Sequence, residues 1–241
     1  MKPWIGLLCA TFMLTSCASD IKHEGTAKED YEYARHLLDE GRYDMANVYL
    51  EKFDSRHPYS HYSIQAELLR IFAAYKNGEY ILSETLAQRF IDRHPRHPHV
   101  DYAKYMLGMS HYHEISKAER DPTQMRAAIE AFKRLIHDHP QSSYVKDASA
   151  RLQLLYNRLA EHELAIGKFY FDRERYVAAA NRFQIILKEY QTTPVIDQAL
   201  YYLATSYARL GLQKEASDVA KLLRYNYPAS KWSNKVTDYI R

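Results

Sequence analysis

The side chains able to do chemistry fall into few kinds. Cys9 and Cys17 are the only thiols, so a cysteine nucleophile, a thiolate zinc centre or a disulfide would have to come from that pair. Histidine is more plentiful: His94, His97 and His99 cluster, as do His111 with His113 and His137 with His139. Imidazoles that close could ligate a transition metal. Yet His57, His94 and His139 each precede a proline, which is a turn position, and the others have no carboxylate or thiolate at ligand spacing. Carboxylates have basic residues at helical spacing, the pattern of a solvated face rather than of a paired general acid and base. No nucleophile elbow, glycine-rich phosphate loop, zinc-protease helix or calcium loop occurs. The expectation is a protein that is not an enzyme, with no resident metal and no cofactor. A net charge of +3 with both signs spread along the chain also gives no basic block for nucleic acid.

The N-terminus prescribes one covalent chemistry. Met1-Lys2-Pro3 is followed by an apolar stretch from Trp4 to Leu14 and then Thr15-Ser16-Cys17, which reads as a signal peptide over residues 1–16. The stretch is far shorter than the roughly 20 apolar residues of a membrane span. Leu14-Thr15-Ser16-Cys17 resembles the lipobox of bacterial lipoproteins. That resemblance implies lipidation of Cys17 on sulfur, cleavage before it and acylation of the new amino group, so that Cys9 is discarded and no free thiol remains. Several acyl chains, at about 0.8 kcal/mol per buried methylene, make a lasting anchor. Ala18 and Ser19 follow, not the Asp that commonly retains lipoproteins at the inner membrane. The resemblance therefore implies the outer membrane, with the folded part in the periplasm. Residues 17–27 would be the lipidated cysteine and a polar tether containing Gly25.

The elements that must position everything else read as helices. Seven glycines and eight prolines are few, and apolar residues recur at three and four rather than two. Five segments share one register: a small or turn residue, an aromatic two later, a small residue three after that, apolar residues four and seven further on, and then a proline. The first gives Gly41, Tyr43, Ala46, Leu50, Phe53 and Pro58; the second gives Gly78, Tyr80, Ser83, Ala87, Phe90 and Pro95. The third keeps Ala128, Phe132, Leu135 and Pro140. The fourth gives Tyr176, Ala179, Phe183 and Ile186, with Gln191 in the place of proline, and the fifth gives Gly211, Ala216, Ala220, Leu223 and Pro228. This is the second helix of a tetratricopeptide repeat. Gly108, Gly167 and Ala204 stand where the first helices of such repeats keep a small residue. The expected fold is an all-α, tetratricopeptide-like solenoid of about five helix-turn-helix repeats. An exposed loop is expected about residues 113–123, with Lys117, Glu119 and Arg120, and a long helical stretch over residues 144–170. A soft boundary divides N-terminal repeats 1–3 (residues 28–143) from C-terminal repeats 4 and 5 (residues 144–241).

Tyrosine, at 22 copies, is the second chemical signal. Tyr43, Tyr80, Tyr170, Tyr176 and Tyr207 follow the repeat consensus and imply packing. Tyr59, Tyr62, Tyr75, Tyr102, Tyr105 and Tyr112 gather in the N-terminal half, mostly on first helices, which normally line the groove. Rigid rings with a hydroxyl tip suit an extended peptide, and packing explains them equally well.

Beyond the generic repeat, several stretches resemble the BamD family of barrel-assembly lipoproteins over nearly the whole chain after the signal peptide. They are His57-Pro58-Tyr59-Ser60-His61-Tyr62-Ser63 through Ala74-Tyr75-Lys76-Asn77, Asp101-Tyr102-Ala103-Lys104-Tyr105-Met106-Leu107-Gly108, Asp121-Pro122 with Arg126-Ala127-Ala128, and Ala180-Asn181-Arg182. The resemblance implies a non-catalytic scaffold that helps insert outer-membrane β-barrels. Its implied partners are the periplasmic domain of the barrel subunit BamA, other Bam lipoproteins and unfolded barrel proteins. Carried over, Arg182 with Asn181 would face BamA, and Tyr62, Tyr75, Tyr102 and Tyr105 would line the substrate groove. The loop after His113 is shorter than in familiar members, and Gln191 departs from the repeat. A repeat lipoprotein serving peptidoglycan enzymes or an envelope chaperone network is the alternative within binding proteins.

Overall fold

A computed structural model of the chain describes residues 25–115 and 122–239. The signal peptide, Cys17 and the tether to residue 24 lie outside these residues, as do Lys117, Glu119 and Arg120 of the expected mid-chain loop. Among the described residues every regular element is a helix. In order they are α1 (Ala27–Asp39), α2 (Tyr43–Glu51) with its short continuation α3 (Phe53–Arg56), α4 (Ser63–Lys76), α5 (Tyr80–Arg93), α6 (Val100–Glu114) and α7 (Thr123–Asp138). Then follow α8 (Val145–Phe171), α9 (Tyr176–Glu189), α10 (Ile196–Arg209), α11 (Gln213–Asn226) and a 3₁₀ helix (Ser233–Tyr239). Five hairpins result, α1/α2, α4/α5, α6/α7, α8/α9 and α10/α11, stacked as a tetratricopeptide-like solenoid.

Local chemistry sets the ends of the helices. Thr26 and Glu29 form a reciprocal capping box that starts α1 at Ala27, the last residue assigned above to the tether. Four of the turns inside the hairpins share one backbone solution, in which a residue at positive φ closes the first helix. Gly41, Gly78 and Gly211 hold φ of 74°, 79° and 78°, and Glu174 holds 58° at the corresponding place. In each, the next N–H reaches back five residues, from Arg42 to Leu37, Glu79 to Ala74, Arg175 to Tyr170 and Leu212 to Tyr207. These bonds satisfy carbonyls that the helix end would leave open.

The connectors between hairpins are equally uniform. Each second helix ends on a ring-bearing residue with φ near −130°: His57, His94, His139, Tyr190 and Tyr227. A proline next in sequence favours this extended conformation. Tyr190 adopts it ahead of Gln191, so the turn bonds that follow suffice without the proline. Those bonds recur: the N–H groups of Ser60, His97, Ser142, Thr193 and Ser230 donate to the carbonyls of the five ring-bearing residues. Asp101 and Asp197, at the starts of α6 and α10, accept from the Ser142 and Ser230 hydroxyls of the connectors that follow their hairpins, at 2.7 and 2.6 Å.

Packing follows the register read from the sequence. Ala46, Ser83, Ala128, Ala179 and Ala216 are fully buried, and so, to within one per cent, are Phe53, Phe90, Phe132, Phe183 and Leu223. A β-carbon on Gly108 would come within 3 Å of the Phe132 ring, and one on Gly167 equally close to Phe183. Bare backbone at these two sites is what lets α6 seat on α7 and α8 on α9. The long helix α8 serves two neighbours, its first turns meeting α6 through Tyr105 and Asp147 and its last turns pairing with α9. The division expected at residue 144 falls just before this helix, and one apolar core continues across it from Met109 to Val236.

Candidate functional site

Consecutive first helices touch, α1 with α4, α4 with α6 and α8 with α10, whereas no comparable contact joins consecutive second helices among the described residues. The first helices therefore lie on the inside of the curve. Tyr75 on α4 and Tyr102 and Tyr105 on α6 face this side and pack on a shared core. Helical spacing places Tyr102 and Tyr105 one turn apart, and α4 brings Tyr75 alongside.

A network spanning four helices, α4, α5, α6 and α8, holds these rings. The Tyr105 hydroxyl donates to the Asp147 carboxylate at 2.7 Å, and Arg151 Nε, one turn along α8, donates to the same oxygen at 2.5 Å. The Tyr105 ring stacks on Tyr144 at 4.8 Å and 18°, and Tyr102 lies 5.7 Å from the same ring. The Arg151 guanidinium sits 5.0 Å over Tyr112. His113 stacks on Tyr80 at 4.9 Å and meets Tyr75 edge-on at 5.3 Å.

Protonation follows from burial and these bonds. Burial, with the hydrogen bond to Asp147, pushes the Tyr105 phenol up to about 12. Tyr102 and Tyr75 are also raised, by burial first. Burial alone would raise Asp147, but the bonds from Arg151 and Tyr105 outweigh it and hold the carboxyl below its ordinary value. Burial and then the Arg151 charge depress His113, which favours a neutral ring at neutral pH. The face thus offers protonated phenols, a neutral imidazole and an ionised Asp147 already engaged by Tyr105 and the braced Arg151 guanidinium: hydrogen-bond donors and aromatic area. Such a surface can hold an extended chain.

The structure separates the residues nominated from sequence into three places. Tyr75, Tyr102 and Tyr105 converge. Tyr62 stands apart at the first connector, stacked 5.1 Å from Tyr31 and 4.0 Å from His61. Arg182 lies on α9, with Nη1 donating to Glu163 of α8 at 3.1 Å; its side chain is 38% exposed, against 9% for Glu163. Asn181 beside it is exposed. Cys17 lies outside the described residues.

Tyr80, Tyr144, Asp147, Arg151 and His113 also belong to the face, and sequence alone does not nominate them for it. The i,i+4 pair Asp147–Arg151 was the one available signal, and it looks like any surface pair until α6 is laid beside it. The histidines also differ from plain turn residues. His57 Nε2 lies 2.7 Å from the buried Asp30 carboxylate, with Arg56 on the same oxygen at 3.1 Å; His94 lies 3.5 Å from Glu67, and His111 lies 3.4 Å from Glu84. Each of these acids comes from another helix, where linear spacing does not reveal it. The rings of His94, His97 and His99 lie 6.5 and 5.6 Å apart in sequence order.

Residues 23–223 match the profile of the outer membrane lipoprotein family YfiO. Curated relatives carry the name outer membrane protein assembly factor BamD. The protein of Vibrio cholerae is 34% identical over 231 residues, covering 91% of this chain and 96% of its own. That of Neisseria meningitidis serogroup A is 32% identical over 232 residues, covering 92% and 87%. That of Rickettsia prowazekii is 34% identical over 196 residues, covering 81% and 78%.

Proposed function

Because the chain belongs to this family of outer membrane lipoproteins, we propose that it is a non-enzymatic scaffold for the assembly of outer-membrane β-barrel proteins. Lipid on Cys17 holds it to the periplasmic face of the outer membrane. Among the described residues no helix is long and apolar enough to cross a membrane, so the attachment in this reading is the lipid. Unfolded barrel proteins are received on the inner face, and the convergence of Tyr75, Tyr102 and Tyr105 around the Asp147–Arg151 pair is the observation that carries this part.

BamA docks at the C-terminal repeats through the side of α9 that bears Asn181 and Arg182. Arg182 spends one nitrogen on Glu163 and has further N–H donors in a fixed fork, so it can bridge the buried carboxylate and an acid of the partner. Other Bam lipoproteins complete the assembly.

Photo-activatable crosslinkers placed at residues 182 and 105 in living cells test the two surfaces separately. Residue 182 should capture a large barrel protein with periplasmic repeats, and residue 105 newly exported barrel chains. Capture of peptidoglycan enzymes at both positions, with no barrel protein, would replace this reading by the alternative scaffold.

A further inference from the structure

The edge of the solenoid built by the connectors differs chemically from the rest of the molecule. Each second helix runs back along its first, so the connectors at residues 57–62, 94–99, 139–144, 190–195 and 227–232 share the edge from which α1 starts. The opposite edge, with the turns inside the hairpins, lies about 20 Å away, the length of a helix of thirteen or fourteen residues. None of the connectors contains Asp or Glu, although the chain carries 30 of them, and together they hold half of its 12 histidines, with Arg96 and Lys231. Of the acids that flank the connectors, Asp101 and Asp197 are turned onto Ser142 and Ser230, whereas Asp54, Asp92, Asp138 and Glu189 stand exposed in the last turns of the second helices.

The first connector stands out further. Tyr59 is fully exposed and holds φ of +63°, a left-handed conformation that a bulky residue adopts only at a cost. Arg96, Gln141, Thr192 and Ala229, at the corresponding places, do not share it. The outcome is a ring directed into solvent beside exposed His61, which is braced on Tyr62 and, through it, on Tyr31 of α1. This patch lies at the N-terminal end of α1. Ten residues separate Cys17 from Ala27, a reach of at most about 35 Å.

We propose that the first connector, through Tyr59 and His61, is a second membrane contact, seated in the lipid headgroup layer, that turns the connector edge toward the bilayer. Tyrosine and histidine carry an apolar body with a polar tip and suit that layer. Connectors without a carboxylate of their own put no negative side chain into an anionic headgroup layer. The inference rests on the lipid anchor at Cys17, because the tether is what keeps this end within reach of the surface.

The test uses the full-length lipidated protein, which has no other free thiol after cleavage before Cys17. It is reconstituted in vesicles of phosphatidylethanolamine and phosphatidylglycerol with an environment-sensitive fluorophore attached through His61→Cys or, on the opposite edge, Asn77→Cys. Nitroxide lipids labelled near the headgroup should quench the probe at 61 several-fold more than the probe at 77, and adding Tyr59→Gly should remove most of that difference. Equal quenching at the two positions, or quenching at 61 indifferent to Tyr59→Gly, overturns the contact while leaving the anchor intact. A blue-shifted probe at 61 without vesicles assigns the patch to a protein surface and overturns it too. Failure of the protein to float with vesicles overturns both the contact and the anchor.

Discussion

Among the described residues two that are not glycine, Glu174 and Tyr59, hold a backbone conformation that suits glycine, for opposite reasons. Glu174 occupies the place filled by Gly41, Gly78 and Gly211 in other repeats and makes the same backbone bonds, so its side chain adds nothing the turn needs. Glu174→Gly should raise stability by about 1 kcal/mol, the left-handed cost less the extra entropy of glycine, and a thermal melt checks it. Tyr59→Gly should stabilise by a similar amount while removing an exposed ring, the signature of strain kept for a surface role. Asp30 is the third case, a fully buried carboxylate. Burial alone would raise its pKa; bonds from His57, Tyr49 and Arg56 outweigh that and lower it. A depressed carboxyl stabilises the fold above its unfolded value of about 4, and the contribution is lost as pH falls through the lower native value. Amide exchange in α1 and α2 should therefore accelerate below about pH 4 more than in α10 and α11, and Asp30→Asn should bring that faster exchange to neutral pH.

At the scale of elements, two of the hairpins, α6/α7 and α8/α9, are held by backbone-to-ring contacts that tolerate no addition. Gly167→Ala improves helix propensity but drives a methyl into the fully buried Phe183 ring, for a net loss of about 1–2 kcal/mol in a denaturant melt. The rings at the connectors work similarly between repeats: Tyr62 on Tyr31, Tyr144 on Tyr105, and Trp232 on Tyr201 at 4.8 Å. Much of the high tyrosine content is thus mortar between hairpins. The seam columns could be read from sequence because small and aromatic residues recur at helical spacing. The ring pairs could not, since one partner stands on a connector and the other on a first helix 31 to 39 residues earlier, and spacing along the chain does not set which rings meet.

At the scale of the molecule, the core of the described residues comes in three parts. The first hairpin forms a cluster with Ala66 and Ala73 of α4, distinct from the large one that begins at Met109. Repeat arrays gain stability from each unit and its neighbours, so damage stays local. Phe53→Ala should cost about 3–5 kcal/mol in the first hairpin. Hydrogen exchange should then show α1 and α2 opening while α9 to α11 stay protected; cooperative loss of all repeats would contradict a modular core.

The sequence by itself determined the all-helical repeat, the turns that end most of the second helices, the glycine turns and the buried aromatic column. All of these are local consequences of period, caps and backbone restriction. Tertiary structure decided which tyrosines share a face, that Asp147 and Arg151 brace it, that Arg182 is already paired with Glu163, and that His57 guards a buried Asp30. Those partners lie 4 to 42 residues apart, and in all but the pair on α8 they stand on different helices. Their meeting depends on how far each helix is rotated about its axis against its neighbours, a quantity set by packing of the whole stack and by no stretch of residues alone.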